Sequence, residues 1–336
     1  MNPTTAKKYL ALIRDFVLWN GAVLIVASLA AADVTVEKYI SHLYFEGNNL
    51  NRGRTFLSAT AWDHDLSLRD PHVFPLSKRA LRGWARTEAP RTRNPIPWEL
   101  ACLLGCTMIL NQKDSLVGAL SAASVVIMFD LYLRISECLK LSCRHITLPS
   151  VFAGAHYDKV SVCIAPASEQ LPSKTFKFDE TIVAGSDGAG RGFVRDLLIW
   201  LVHRAQAAGY DLIFQDLSAK VLRNQWSLAL ESLGLPSKLY TPHSCRHGGA
   251  STDRFLNVRD SWDVQRRGRW AAQSSVGRYE KHALLLKGIS SLSPELQSRA
   301  SAAPKRLQKL LSDFLSTAAP FASHPARPKK QPKHSR

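Results

Sequence analysis

The sequence is short of acid. Its 336 residues hold 27 Asp and Glu against 44 Lys and Arg, a formal net charge of +17 with a pI near 9.8. That balance points to an anionic partner, either nucleic acid or a membrane surface. Cysteine is scarce too. Six Cys are too few for a disulfide framework. None form a Cys-x-x-Cys pair, so a structural zinc site is not expected. A reducing, intracellular setting fits best. Long apolar runs are also missing. Residues 22–32 are apolar but fall short of the roughly 20 residues needed to span a bilayer. They follow an amphipathic stretch, 7–19, where a signal peptide would have a short basic one. The run 116–133 is longer, but Gly and Ser interrupt it, and Asp130 and Arg134 stand at its end. It reads as a buried helix, so no membrane is expected and nucleic acid becomes the favoured partner. There are no internal repeats. What the chain does have is apolar residues, 46% of the total, enough to fill sizeable cores. At roughly 150 residues per domain, two domains are expected.

Residues 5–68 read as helical. Tyr9, Leu12, Ile13, Phe16 and Trp19 fall on one helix face. Asp33 is the expected N-cap of a second helix whose face is Val36, Tyr39, Ile40 and Leu43. Residues 47–53 form a turn-rich break, and 55–66 a third helix. Residues 69–97 change character: seven basic residues face only Asp70 and Glu88, with five prolines in or beside the segment. A basic helix over 76–86 running into a linker is expected. Such a charge ratio points to nucleic-acid contact through Lys78, Arg79, Arg82 and Arg86. A solvated helix face is the plainer alternative.

A second domain begins at Trp98, with helices over 98–110 and 116–132. Residues 159–165 alternate and are rich in Val and Ile, and 175–183 follow across a Pro- and Ser-containing turn, a hairpin signal. Helices follow over 192–208 and 218–233, the latter ending at Gly234. Leu307, Leu310, Leu311 and Phe314 share a helix face, for a neighbouring protomer or for the chain's own core. The last 15 residues hold five Lys or Arg, three Pro and no acid, and read as a disordered basic tail.

Three segments can carry chemistry. Arg134 and Glu137 stand at the end of a strongly apolar helix, where an Arg needs a partner; an ordinary i,i+3 pair is the plain reading. In Thr241-Pro242-His243-Ser244-Cys245-Arg246-His247, His243 and Arg246 share a helical face near an N-terminus, a natural oxyanion site. His247, one residue on, is expected to point elsewhere. Last come Arg266-Arg267-Gly268-Arg269-Trp270 and, nine residues after Trp270, Tyr279. Alone, each of these motifs is commonplace.

In this order the residues resemble the tyrosine recombinase (phage integrase) family, and the resemblance covers nearly the whole ordered chain. It implies a mainly α chain with a small β-sheet or hairpin: a helical N-terminal core-binding domain plus a mixed α/β catalytic domain. The expected bounds are 1–94 for a DNA core-binding domain with its basic linker, 95–318 for the catalytic domain and 319–336 for the tail. Arg134 then matches the first catalytic Arg, Glu137 the acid that often follows it, His243 and Arg246 the His-x-x-Arg box, and Tyr279 the nucleophile. Trp270 matches a position that is His in many members. The family's hairpin Lys is best matched by Lys174, with Lys177 and Lys159 as fallbacks. The box reads Arg-His-Gly-Gly-Ala where bulkier residues are usual, which implies a divergent branch, such as a eukaryotic mobile-element recombinase.

The implied reaction is metal- and ATP-independent phosphoryl transfer with no cofactor. Tyr279 attacks a DNA phosphodiester and the 5′-hydroxyl leaves, giving a 3′-phosphotyrosine. Arg134 and Arg246 hold the non-bridging oxygens, His243 takes a proton or bonds the phosphate, and Lys174 protonates the leaving group. The indole N–H of Trp270 meets a phosphate oxygen. Double-stranded DNA, gripped also by Arg266, Arg267 and Arg269, and a homotetramer on two sites are the implied partners. Integration, excision, resolution and transposition stay open. So do an inactive DNA-binding protein of the same fold and a type IB topoisomerase-like enzyme. The tail is an import signal or an extra DNA arm, and the expected location is the nucleus in a eukaryote, otherwise cytoplasm or nucleoid.

Overall fold

The computed structural model describes residues 2–317 other than 25, 27, 89–92, 113–114, 151–153, 155–156, 174–176 and 186–189. The chain divides into two compact units, Met1–Thr92 and Arg93–Arg336. It is mainly helical with one small antiparallel sheet, as expected.

The first unit is four helices: α1 (Pro3–Asn20), α2 (Leu29–Phe45), α3 (Leu50–Asp63) and α4 (Pro75–Thr87). Phe16, Tyr39 and Phe56 pack edge-on or tilted at its centre, with ring centroids 4.6–5.3 Å apart. Asp33 does not start α2, which begins four residues earlier after Ser28. Asp33 is buried inside α2 and caps α4: its carboxylate accepts from the Leu76 amide (2.7 Å), the Ser77 amide (2.9 Å) and the Ser77 hydroxyl (2.6 Å). The α4 terminus needs this, because Phe74 at its N-cap position offers no side-chain acceptor. Ser77, Leu81 and Trp84 face inward. Arg79, Arg82 and Arg86 are exposed along the outer face at i, i+3 and i+7. Lys78 is half-buried, and its ammonium donates to the Asp70 carbonyl.

The second unit is built on α5 (Trp98–Asn111) and α6 (Leu116–Asp130). Every residue of α6 from Gly118 to Asp130 is buried, the all-round apolar pattern of a central helix. Around them lie α7 (Ile135–Cys138), α8 (Phe193–Ala207), α9 (Ala219–Ser232), α10 (Ser244–Phe255), α11 (Ser261–Gly268), α12 (His282–Ser290) and α13 (Pro294–Thr317). The sheet has the order β1 (Ile146–Thr147), β2 (Ser161–Ile164), β3 (Glu180–Val183), with Ser161 opposite Val183 and Val162 opposite Ile182. The hairpin was expected, although β3 is only the second half of the stretch assigned to it; β1 was not foreseen, being two residues long. Of the two readings left for the C-terminal helix, the chain's own core takes Leu307 and Leu311, which are buried among α5 and its neighbours. No helix among the described residues is long and apolar enough to cross a membrane. The tail, expected over 319–336, lies outside the described residues.

Candidate active site

The site is assembled where α6 ends against α10. The chain leaves α6 through Leu131, Tyr132 and Leu133, all fully buried, with Tyr132 at a positive φ of 50°. That tight bend turns Arg134 away from the core. Helix α10 packs directly on the bend, and this explains Gly248-Gly249. A Cβ on Gly249 would stand 2.1 Å from the Phe129 carbonyl oxygen and 2.8 Å from the Tyr132 ring; one on Gly248 would stand 2.1 Å from the Ile96 carbonyl oxygen. The unusual box is therefore a packing requirement. Gly249→Ala is expected to cost about 3 kcal/mol, the upper range for overpacking a core. A urea-midpoint change equivalent to less than about 1 kcal/mol would contradict the contact.

Arg134 caps the short α7. Its amide donates to Glu137 Oε2 at 2.8 Å and its Nη1 to Glu137 Oε1. Glu137 is a hub. It also accepts from Arg269 Nη2 at 2.6 Å, and Arg246 Nη1 lies 3.8 Å from Oε2. Burial alone would raise the Glu137 carboxyl, but Arg269, the Arg134 amide and the Arg134 and Arg246 charges outweigh it and hold it below the usual range. Arg269 also lies 3.8 Å from Glu180 on β3. Among the described residues, three guanidiniums thus face two carboxylates.

Arg246 is fully buried. Its Nη1 donates to the Tyr132 carbonyl and its Nη2 to the Gly268 carbonyl. The guanidinium lies 5.2 Å over the Trp270 ring, and Nε has no partner among the described residues. Burial, then Arg269 and Arg134, lower its pKa to about 10, so it stays charged at neutral pH. Two of its five N–H groups are spent on fixing its position, and three remain.

His243 immediately precedes α10, and His247 lies one turn later. The sequence reading of His247 needs correction: at i, i+4 from His243 it shares that face, with ring centroids 5.3 Å apart. It also stacks on Tyr279 at 4.4 Å and 26°. Tyr279 follows a 3-10 turn, Gln273–Arg278, and its other side meets Trp270 at 4.0 Å and 23°. Its carbonyl accepts from the Ser251 hydroxyl on α10. Trp270 stacks more loosely on Tyr132 at 6.4 Å. Its buried indole N–H has no acceptor among the described residues.

Both imidazoles are held low. Burial, then Arg93, Arg246 and Arg134, push His243 to about 4 against the opposing charge of Glu137. Burial, then Lys281, His243, Arg93 and Arg246, push His247 to about 3. Both are neutral at pH 7. In the unfolded chain a His titrates near 6.5, so on acidification the unfolded state binds protons first. Their contribution to stability is therefore complete above about pH 6.5 and falls as the pH drops toward 4. The thermal midpoint is expected to decline over that window, and to decline less in His247→Phe. A flat wild-type profile would contradict neutral imidazoles.

Behind the site lies a layer of buried charge that the sequence reading missed. Asp253 on α10 accepts from Tyr132 Oη, Arg191 Nη2 and Arg259 Nη1. Asp130 accepts from Arg267 Nη2 (2.9 Å) and the Gly185 amide (2.9 Å), with Arg191 Nε at 3.3 Å. Two side chains expected to grip DNA, those of Arg267 and Arg269, are engaged inside the fold. Arg267 is buried, donating to the Asp130 and Val183 carbonyls (2.7 and 2.8 Å) as well as to Asp130 itself. Arg269 is buried against Glu137 and Glu180. Arg266 is 78% exposed beside Asp263. Lys174 lies outside the described residues. The fallbacks Lys177 and Lys159 are exposed. Among the described residues no three His, Cys, Asp or Glu are grouped to hold a metal ion.

No family model and no curated protein matches the chain. Solved structures resemble it distantly. The XerH site-specific recombinase bound to difH substrate, in a pre-cleavage complex, is 16% identical with a TM-score of 0.42, covering 74% of this chain and 72% of that one. The same recombinase on a palindromic difH substrate, in a post-cleavage complex, is 16% identical with a TM-score of 0.48, covering 80% and 71%. The XerA recombinase is 13% identical with a TM-score of 0.39, covering 88% and 93%.

Proposed function

We propose that this chain cuts and rejoins DNA through a covalent bond between Tyr279 and a 3′-phosphate. The observation that carries the reading is the Tyr279 ring stacked on Trp270, which itself lies over the Arg246 guanidinium, with Arg134 and Glu137 alongside. The phenolic oxygen bonds to phosphorus as the P–O5′ bond breaks. His243, neutral and beside Arg246, takes the phenolic proton; burial first and then the cationic charges depress its basicity, and a bound phosphate offsets the second of these. Charge growing on the non-bridging oxygens is met by the remaining N–H groups of Arg134 and Arg246 and by the Trp270 indole. Lys174 protonates the leaving 5′-oxygen. The phosphotyrosine keeps the ester's energy, so a second 5′-hydroxyl can reverse the attack and reseal the strand. Two duplexes exchanging strands in this way call for four copies of the chain.

DNA grip comes from Lys78, Arg79, Arg82 and Arg86 on α4 and from Arg266 on α11. Contacts of this kind give affinity and salt sensitivity without sequence choice. Arg79→Ala together with Arg82→Ala is expected to weaken binding and to flatten the log–log salt dependence by about 2 units, measured by titration across salt concentrations. An unchanged slope would remove α4 from the interface.

The reading is tested with a pool of labelled duplexes of randomised sequence, each carrying a nick so that a short cleaved fragment diffuses away. The pool is incubated with the full chain and a chelator and then denatured. A labelled protein–DNA adduct, enriched in particular sequences, is expected. DNA binding without any adduct would favour a binding protein of the same fold, and adducts with no enriched sequence would favour a topoisomerase-like enzyme.

A further inference from the structure

We infer that His247 is a positioning residue for the nucleophile: with Trp270 it forms a two-sided aromatic clamp on the Tyr279 ring, acting through its face and not through its nitrogens. This rests on Tyr279 being the nucleophile. The two contacts are of the same kind, 4.4 Å and 26° on the His247 side and 4.0 Å and 23° on the Trp270 side. A tyrosine in a short 3-10 turn would otherwise sample several rotamers. Here the phenol is held on both faces while Ser251 holds its backbone carbonyl.

The clamp itself is rigid. His247 is buried on α10, one turn from His243, whose ring meets it edge to face. Trp270 is buried as well, braced by Arg246 and Tyr132. The two walls come from helix α10 and from the segment after α11, so the ring is fixed relative to Arg246, which shares α10 with His247. Holding a reacting oxygen near its line of attack removes orientational freedom before the reaction begins.

The ring nitrogens of His247 are poorly suited to proton transfer. Nδ1 is buried and has no hydrogen-bond partner among the described residues. Stacking sets the plane of the imidazole nearly parallel to the phenol, so its in-plane lone pair points past the ring and not at it. The low pKa, set first by burial, agrees with a ring that stays neutral.

The test compares His247→Phe, His247→Leu and His247→Ala by single-turnover adduct formation on the duplex recovered from the randomised pool, over pH 5.5 to 8.5. Leu keeps most of the volume without an aromatic face, and Phe keeps the face without nitrogens. Phe is expected to restore the rate to within about 3-fold of wild type with the same pH profile, whereas Leu and Ala lose roughly 10- to 100-fold. If Phe falls as far as Leu, or loses a limb of the pH profile, the nitrogens act and the inference is wrong. It is equally wrong if Leu matches wild type or exceeds it. A second readout needs no catalysis. With fluorotyrosine incorporated throughout, the Tyr279 resonance, assigned by Tyr279→Phe, is expected to carry a ring-current shift that Leu and Ala reduce and Phe retains. A shift unchanged in Leu would sink the clamp. Failure of wild type to form any adduct would sink the assignment of Tyr279 instead, and the resonance would still decide whether the clamp exists.

Discussion

Tyr279→Phe is expected to reduce adduct formation to background while leaving the fold and DNA binding within about 2-fold of wild type. The substitution removes one oxygen. The ring stays between Trp270 and His247, and the Ser251 contact is to the backbone carbonyl, so nothing that holds the segment is lost. A second tyrosine in the neighbourhood makes the prediction sharper. Tyr132 is fully buried, and its hydroxyl already donates to Asp253. Burial, and then the Asp253 charge, push its pKa well above the ordinary value. A phenol held that way cannot open toward a substrate. Peptide mapping of the wild-type adduct is expected to find the DNA on the peptide carrying Tyr279. An adduct that survives Tyr279→Phe, or maps elsewhere, would overturn the assignment.

Arg246→Lys is expected to lower the rate of adduct formation by about 10³-fold, near the loss seen when one preorganised transition-state donor is removed. The exchange keeps the charge and loses the fork. Lys has a single ammonium, whereas Arg246 donates to two carbonyls belonging to residues far apart in sequence, Tyr132 and Gly268. At least one of those carbonyls is then left short of a donor, and a stability loss of about 2 kcal/mol is expected from an unsatisfied buried acceptor. Urea denaturation measures the second effect and single-turnover cleavage the first. DNA affinity, carried by surface cations, is expected to change little. A variant within 10-fold of the wild-type rate would mean that Arg246 is only a structural brace between α10 and the turn after α11.

The parts of the site legible in the sequence are those whose chemistry is local. Arg134 and Glu137 are three residues apart, and their pairing follows from helical spacing alone. His243 and Arg246 are likewise three residues apart, near enough for the Arg246 charge to help lower the His243 pKa after burial has done so. Helix α9 could be read from Ser218, which accepts from the Val221 amide, and from the apolar face that follows. Where a side chain's fate is decided by a distant partner, local spacing is silent. Arg269 looked like a surface cation because it stands among other arginines. Its partner, Glu137, is 132 positions away. Asp33 looked like the start of its own helix but caps one 43 positions later. His247 is a different kind of miss. The i,i+4 relation to His243 was visible, and only the arrival of Tyr279 from another segment gives that face a purpose.

The charge layer behind the site has a consequence for how the second unit comes into being. Asp130, Arg191, Asp253 and Arg267 belong to four separate stretches of chain, and each is buried only in the company of the others. Stranding any one of these ions without its counterpart costs several kcal/mol. A half-assembled unit, with the reactive phenol near one guanidinium and the rest undocked, is therefore penalised and scarcely populated. Assembly of the second unit is therefore expected to be strongly cooperative, and a single sharp urea transition would show it.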